Sequence, residues 1–266
     1  MIVFKSLIFL FLCINLNAYD MKIYTTEEPP LNYTDLKDKS YALDENVNGF
    51  TSDIVKEIIK RNTYNTQIAL IPWARAYKYA LNKENIFIYS MAKTKLRENL
   101  FKWVGPIALK KTILFKKSNS NLKIKSLDEA KNVDSIGIIL EDAKYQYLKE
   151  KGFKNLLNTR SFETGLKLLV NNKISLWAQT DFDSPIIAKR ANVDINRITS
   201  GFQMYNTVLY IGVSKNTNEE LIQKWQKTLD EIKSDGTFKK IAQKWAKYFK
   251  MDWIVKDNML QVNYNK

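Results

Sequence analysis

The chain has 266 residues, a formal charge of +14 from 42 Lys and Arg against 28 Asp and Glu, no His and one Cys, Cys13. Imidazole bases, intrachain disulfides and nearly all zinc sites are thereby excluded, and metal and cofactor chemistry is not expected. The excess charge is scattered Lys, with Arg only at 61, 75, 97, 160, 190 and 197, and no basic-aromatic motif accompanies it, so no nucleic-acid partner is expected.

The first residues, Met1-Ile-Val-Phe-Lys5, are followed by an apolar run to about Leu16 and then by Asn17-Ala18. A basic start, a short apolar region and a small residue read as a secretory signal peptide over 1–18, cleaved near Ala18. Cys13 has Leu12 before it, where a lipoprotein signal would place a small residue. Cleavage removes the only thiol. The remaining chain of about 248 residues suits one large α/β domain or two lobes. No later apolar stretch is long enough for a membrane helix.

Residues 21–25 read as a strand, followed by a polar loop with Pro29-Pro30 and Tyr33. Apolar residues at 54, 55, 58 and 59 predict a helix over 53–61. A strand over 67–71 ends at Pro72-Trp73, a helix covers 74–81, and 86–90 reads as a buried strand. Next comes Tyr89-Ser90 with Arg97 seven positions after the serine, closed by Trp103-Val-Gly105-Pro106, read as a turn that leaves the strand register. A strand end presenting N–H groups and Ser90, with a guanidinium folded back over it, makes a cradle for a carboxylate. Ser126-Leu-Asp-Glu129 is a capping box. A strand over 135–139, helices over 143–151 and 162–170, and a strand over 176–179 complete an alternation that predicts α/β architecture with largely parallel sheets.

Two segments break that alternation. Residues 112–115 and 207–213 are apolar and β-branched, about 90 residues apart, with Lys-rich flanks. They fit a chain that leaves one lobe by one strand and returns by another, with a cleft between the lobes; two adjacent central strands of a single sheet is the other reading. The hinge reading divides the chain into 19–110 plus 211–266 and 111–210. Helices over 219–234, stopped by Gly236, and 238–249, with Ile241, Trp245 and Phe249 on one face, read as packing. Residues 250–266, with Trp253 and Tyr264, either dock on the first lobe or remain loose.

Taken in order, these motifs resemble the type II periplasmic solute-binding proteins of amino-acid ABC transporters, the bacterial extracellular solute-binding family 3. The resemblance runs to about Phe249. It rests on Pro29-Pro30, Gly49-Phe50, Pro72-Trp73-Ala-Arg75-Ala76, Thr94-x-x-Arg97-Glu98, Trp103-Val-Gly-Pro106, Leu176-Trp177-Ala178 and Ser234-Asp-Gly-Thr237-Phe238. The Pro-Trp-x-Arg-Ala element is similar to one branch of that family.

The resemblance implies two α/β lobes joined by a two-strand hinge, closing on a small ligand. It puts Ser90 and Arg97 at the ligand carboxylate, with Ala92 where a second hydroxyl often sits. Phe50 would wall the ligand, and Trp73 and Arg75 would reach the cleft. In the second lobe, Gly137-Ile-Ile-Leu140-Glu141-Asp142 replaces the usual Gly-Thr or Gly-Ser helix start. Asp142 therefore caps the helix or meets a cationic group of the ligand. For the Asp that pairs with a ligand ammonium, Thr180, Asp181 and Asp183 are candidates, with Asp181 favoured. These departures open the ligand class to polyamine-like, modified or peptide-like compounds and other small acids.

The expected function is capture of a small polar solute in the periplasm and delivery to an inner-membrane ABC permease, by a monomer and without catalysis. The alternatives are a dehydratase-like cleft enzyme resting on Asp142, Asp181 or Glu28, and a ligand-loaded partner of a sensory receptor.

Overall fold

The computed structural model describes residues 20–263; the expected leader with Cys13 and Ala18, and Tyr264, lie outside the described residues. The chain begins with strands β1 (Lys22–Thr25) and β2 (Ala42–Leu43), helix α1 (Phe50–Arg61), strand β3 (Ile68–Leu70), helix α2 (Trp73–Asn82) and strand β4 (Ile86–Ala92). β1 pairs in parallel with both β3 and β4, and α1 and α2 are the crossovers. Gly49 makes the entry to α1 possible. Its φ is +121°, and a Cβ there would stand 2.3 Å from the Leu31 carbonyl oxygen.

β5 (Phe101–Lys117) then runs for 17 residues, roughly 55 Å of extended chain. Beyond it come α3 (Leu127–Ala130), β6 (Ile136–Ile138), α4 (Ala143–Glu150), β7 (Leu156–Asn158), α5 (Phe162–Val170), β8 (Leu176–Thr180) and α6 (Ser184–Ala191). β6 pairs in parallel with β7 and β8. The return strand β9 (Ile198–Ser214) is also 17 residues long and lies antiparallel to β5, from Phe101 opposite Ser214 to Lys117 opposite Ile198. The sheet order is β2-β3-β1-β4-β9-β5-β8-β6-β7. The two long strands are thus shared by two α/β lobes, one built on β1–β4 and the other on β6–β8.

The expected strands at 112–115 and 207–213 are only parts of this ribbon. Lys110, Lys111, Lys116 and Lys117 interrupt the apolar pattern without interrupting the ladder. The expected turn at Gly105-Pro106 is instead a bulge inside β5, where the register to β9 shifts between Val104 and Ala108. Proline has no N–H for the ladder and is tolerated at such a bulge. Gly105 is needed because a Cβ would meet the Tyr210 ring at 2.4 Å.

Each lobe has its own core. In the first, Trp225 stacks on Phe87 with ring centroids 4.4 Å apart, beneath α1 and α7 (Glu219–Ser234). In the second, the alternation of β8 sends Trp177 to one face and Leu176 and Ala178 to the other, so a cluster forms on each side. The residues at 221, 222, 225, 229 and 232 are all buried, as the α7 stripe predicts. α8 (Thr237–Phe249) follows Gly236, and Trp245 packs on Tyr33. The Ser126 hydroxyl accepts from the Glu129 N–H at 3.2 Å, although the helix it caps is only four residues long.

The C-terminal segment forms a hairpin, β10 (Trp253–Lys256) and β11 (Met259–Val262), and β11 pairs with β5 through Leu260 opposite Ala108. It therefore docks rather than hanging free, as do the other elements not anticipated, β2, β7 and α6. No helix among the described residues is long and apolar enough to cross a membrane.

Candidate functional site

A cavity of about 750 Å³ lies between the lobes, over the middle of the β5–β9 ribbon. Lys110 and Thr112 from β5 and Thr207 and Leu209 from β9 form its floor. Period-2 alternation puts Lys110 and Thr112 on one face of β5, and Thr207 and Leu209 on one face of β9.

Ser90 stands on the first-lobe wall. Its φ is +59°, a left-handed conformation costly for any residue but glycine, at a break in the β4–β9 register between Ile88 and Met91. That kink places Ser90 on the cavity wall, where its buried Oγ has no hydrogen-bond partner. Ala92, 7% exposed, lines the same wall.

Arg97 sits in a tight turn after β4, its N–H bonded to the Thr94 carbonyl at 2.9 Å. The side chain is 1% exposed. Its guanidinium lies 5.0 Å from the centroid of Trp73 and 5.1 Å from that of Tyr77. Nε donates to Gln146 Oε1 at 2.9 Å and Nη2 to the Glu141 carbonyl at 3.1 Å. Burial pushes its pKa down, partly offset by Tyr77 and Asp142. Trp73, half-buried at the start of α2, donates its indole N–H to the same Glu141 carbonyl at 2.8 Å. Glu141 is itself left-handed, with φ +59°. One backbone oxygen of the second lobe therefore receives both first-lobe donors.

Asp142 caps α4. Its Oδ1 accepts from the Tyr145 N–H at 2.8 Å, and its Oδ2 lies 2.7 Å from Lys144 Nζ. Both Asp142 and Lys144 line the cavity. Burial alone would lower the Lys144 pKa, but Asp142 and Glu28 outweigh it and hold the ammonium above its usual value.

Below the cavity Lys110 is buried between two carboxylates, Glu28 at 2.6 Å and Asp183 at 2.9 and 3.0 Å. Glu28 follows β1 in the first lobe and Asp183 precedes α6 in the second. Burial raises the Glu28 pKa despite the ammonium, and the two carboxylates raise that of Lys110 against the opposing effect of burial. At the far side Arg190 pairs with Glu27 at 2.6 Å and lies 3.5 Å from Glu163. Lys110 and Arg190 carry no sequence signal of their own, since each is defined by partners distant in the chain.

Ser90, Ala92, Arg97, Trp73 and Asp142 thus share one cavity; Phe50, Arg75 and Asp181 do not line it. Phe50 turns inward at the start of α1 and packs edge-on against Phe238, fully buried in the first-lobe core. Arg75 is two positions past Trp73, about 200° around the helix, and is exposed. Asp181 closes the edge of β5, its Oδ1 accepting from the Lys111 N–H at 2.9 Å. Asp183 does not line the cavity either and is held by Lys110, so of the three candidates only Thr180 lines it.

Two α/β lobes on a shared antiparallel ribbon, with a cleft between them, make the type II periplasmic-binding fold, a hinged ligand trap. The family model for bacterial extracellular solute-binding proteins, family 3, matches residues 21–248, and the chain belongs to that family. It is similar to a probable histidine-binding protein of Campylobacter jejuni, 23% identical over 218 residues, covering 77% of this chain and 79% of that protein. Among solved structures it resembles a histidine kinase sensor domain similar to periplasmic binding proteins (TM-score 0.74, 14% identity, 86% of this chain and 96% of that one). It also resembles the arginine-, lysine-, histidine-binding protein ArtJ of Geobacillus stearothermophilus (TM-score 0.69, 17% identity, 86% and 99%).

Proposed function

We propose that the chain works in the periplasm, capturing a small polar solute of the amino-acid type between its lobes and handing it to an inner-membrane ABC permease. The observation that carries this reading is the buried Ser90 hydroxyl, unpartnered and set in a strained backbone on the same cavity wall as Arg97. A ligand carboxylate would take Ser90 and Arg97, Trp73 would cover its body, and Asp142 with Lys144 would meet it from the second lobe. The lobes would divide near 110/111 and 210/211, where β5 and β9 cross the cleft floor. Closure would be driven by contacts a ligand makes with both lobes together.

The test is a thermal-shift screen of protein freed of bound ligand by unfolding and refolding, against amino acids, polyamines, short peptides and small organic acids. At a thousandfold excess over Kd, binding adds about 4 kcal/mol of stability. Arg97→Ala should lose about 2–5 kcal/mol of binding while the chain stays folded. Absence of any shift would overturn solute capture. A ligand-loaded protein that pulls down a receptor and no permease would move it to the sensory role.

A further inference from the structure

The C-terminal hairpin β10–β11 lies beyond the 21–248 matched by the family model, yet it reaches the middle of the hinge. Along one edge of β5 three things follow in order. β8 pairs as far as Thr180 opposite Thr112. Asp181 then binds both backbone groups of Lys111, its N–H donating to the Lys111 carbonyl at 3.1 Å and its Oδ1 accepting at 2.9 Å. Leu260 of β11 takes the next place, opposite Ala108. The second-lobe strand and the hairpin therefore share one edge of the hinge within five residues.

The side chains tie the same two pieces together. Phe182 follows β8, in the stretch that leads to α6, but its ring is buried in the first-lobe cluster and stacks on Trp253 of β10 (centroids 4.8 Å, 15° between planes). Trp253 is in turn 6.3 Å from Phe249 of α8, between ring centroids. Phe182 stands between Asp181, which holds the β5 edge, and Asp183, which holds Lys110 on the cavity floor. The Lys110 ammonium lies 6.0 Å from the Phe182 ring.

We propose that the hairpin is a third hinge element, a strap in which Trp253 and Phe182 position the Asp183–Lys110 pair and bias the lobes toward the closed arrangement. Swinging the second lobe away from the first pulls Phe182 against its stacked partner, so loss of the stack favours opening. A stacked aromatic pair of this kind corresponds to roughly a 2- to 10-fold change in an equilibrium constant.

The test needs no ligand, so its outcome is independent of the solute-capture reading. Spin labels at Lys60→Cys in α1 and Lys154→Cys in the second lobe report the inter-lobe distance in the full chain carrying Cys13→Ser. Trp253→Ala and Phe182→Leu should each enlarge the long-distance population 2- to 10-fold, while Val255→Ala on the exposed face of β10 leaves it unchanged. A parallel urea titration separates stability from closure. Should Trp253→Ala fail to fold, Trp253→Phe and Phe182→Leu carry the measurement. If these variants lower the urea midpoint but leave the distance distribution as it is, the hairpin is only packing and the strap is overturned.

Discussion

The Trp73 indole and the Glu141 carbonyl meet at 2.8 Å, and this hydrogen bond crosses from one lobe to the other. Trp73→Phe keeps an aromatic ring beside Tyr77 and Arg97 and removes the donor. A neutral hydrogen bond is worth about 0.5–1.5 kcal/mol, so ligand affinity should fall roughly 2- to 10-fold. The loss should appear mainly as faster dissociation, measured by stopped-flow fluorescence. An unchanged dissociation rate would remove this bond from the closing mechanism.

Ser90 should separate stability from binding. Ser90→Ala deletes a buried hydroxyl that has no partner, so the protein alone should gain up to about 1 kcal/mol in urea unfolding. Ser90→Gly also relieves the φ of +59°, a strain of about 1–3 kcal/mol, and should be at least as stable as the alanine variant. Both should bind ligand about tenfold more weakly, as the loss of one hydrogen bond to a charged group requires. Full affinity in Ser90→Ala would take Ser90 out of the site.

Lys110→Met leaves Glu28 and Asp183 buried without their cation. Breaking a buried ion pair from one side costs about 3–5 kcal/mol, and adding Asp183→Asn should recover much of it. The sign with pH follows from the raised Lys110 pKa. Its contribution is full below the ordinary value of 10.5 and is lost as pH rises through the higher folded value. Urea midpoints of the single and double variants decide the point; equal midpoints for Lys110→Met and the native chain would contradict it.

Asp235 provides an acid-side test at the surface. Hydrogen bonds from Thr237 and the Arg61 guanidinium, which lies 2.7 Å from its Oδ2, hold its pKa down at about 2 from an ordinary 3.8. Its contribution is therefore present above 3.8 and fades as pH falls through 2. Thermal unfolding of Asp235→Asn beside the native chain should show a gap at pH 6 that closes near pH 2. A gap independent of pH would contradict the charge-assisted origin.

The elements that could be read directly were those whose apolar spacing matches a single buried face. α7 and α5 begin and end at their expected residues, because their stripes and caps are local. The full length of β5 was hidden by its lysines and that of β9 by polar residues such as Thr199, Ser200, Gln203 and Asn206, and the Gly105-Pro106 bulge looked like a turn because local chemistry is the same for both. Ser90, Arg97 and Trp73 were legible as a motif. The ion pairs around them were not, since Lys110 is 82 positions from Glu28 and 73 from Asp183. Asp181 and Asp183 are alike in sequence, and only the path of the chain past β5 gives one to the strand edge and the other to Lys110.

The shared acceptor for Trp73 and Arg97 is a main-chain oxygen. Replacing the Glu141 side chain leaves that oxygen in place, so an alanine scan would score position 141 as silent. The same logic shelters the contact in evolution: the residue type at 141 can drift while the contact persists, provided the left-handed turn is kept. Its chemical signature is accessible only through the backbone, for example by an ester in place of the 141–142 amide, which weakens the carbonyl as an acceptor.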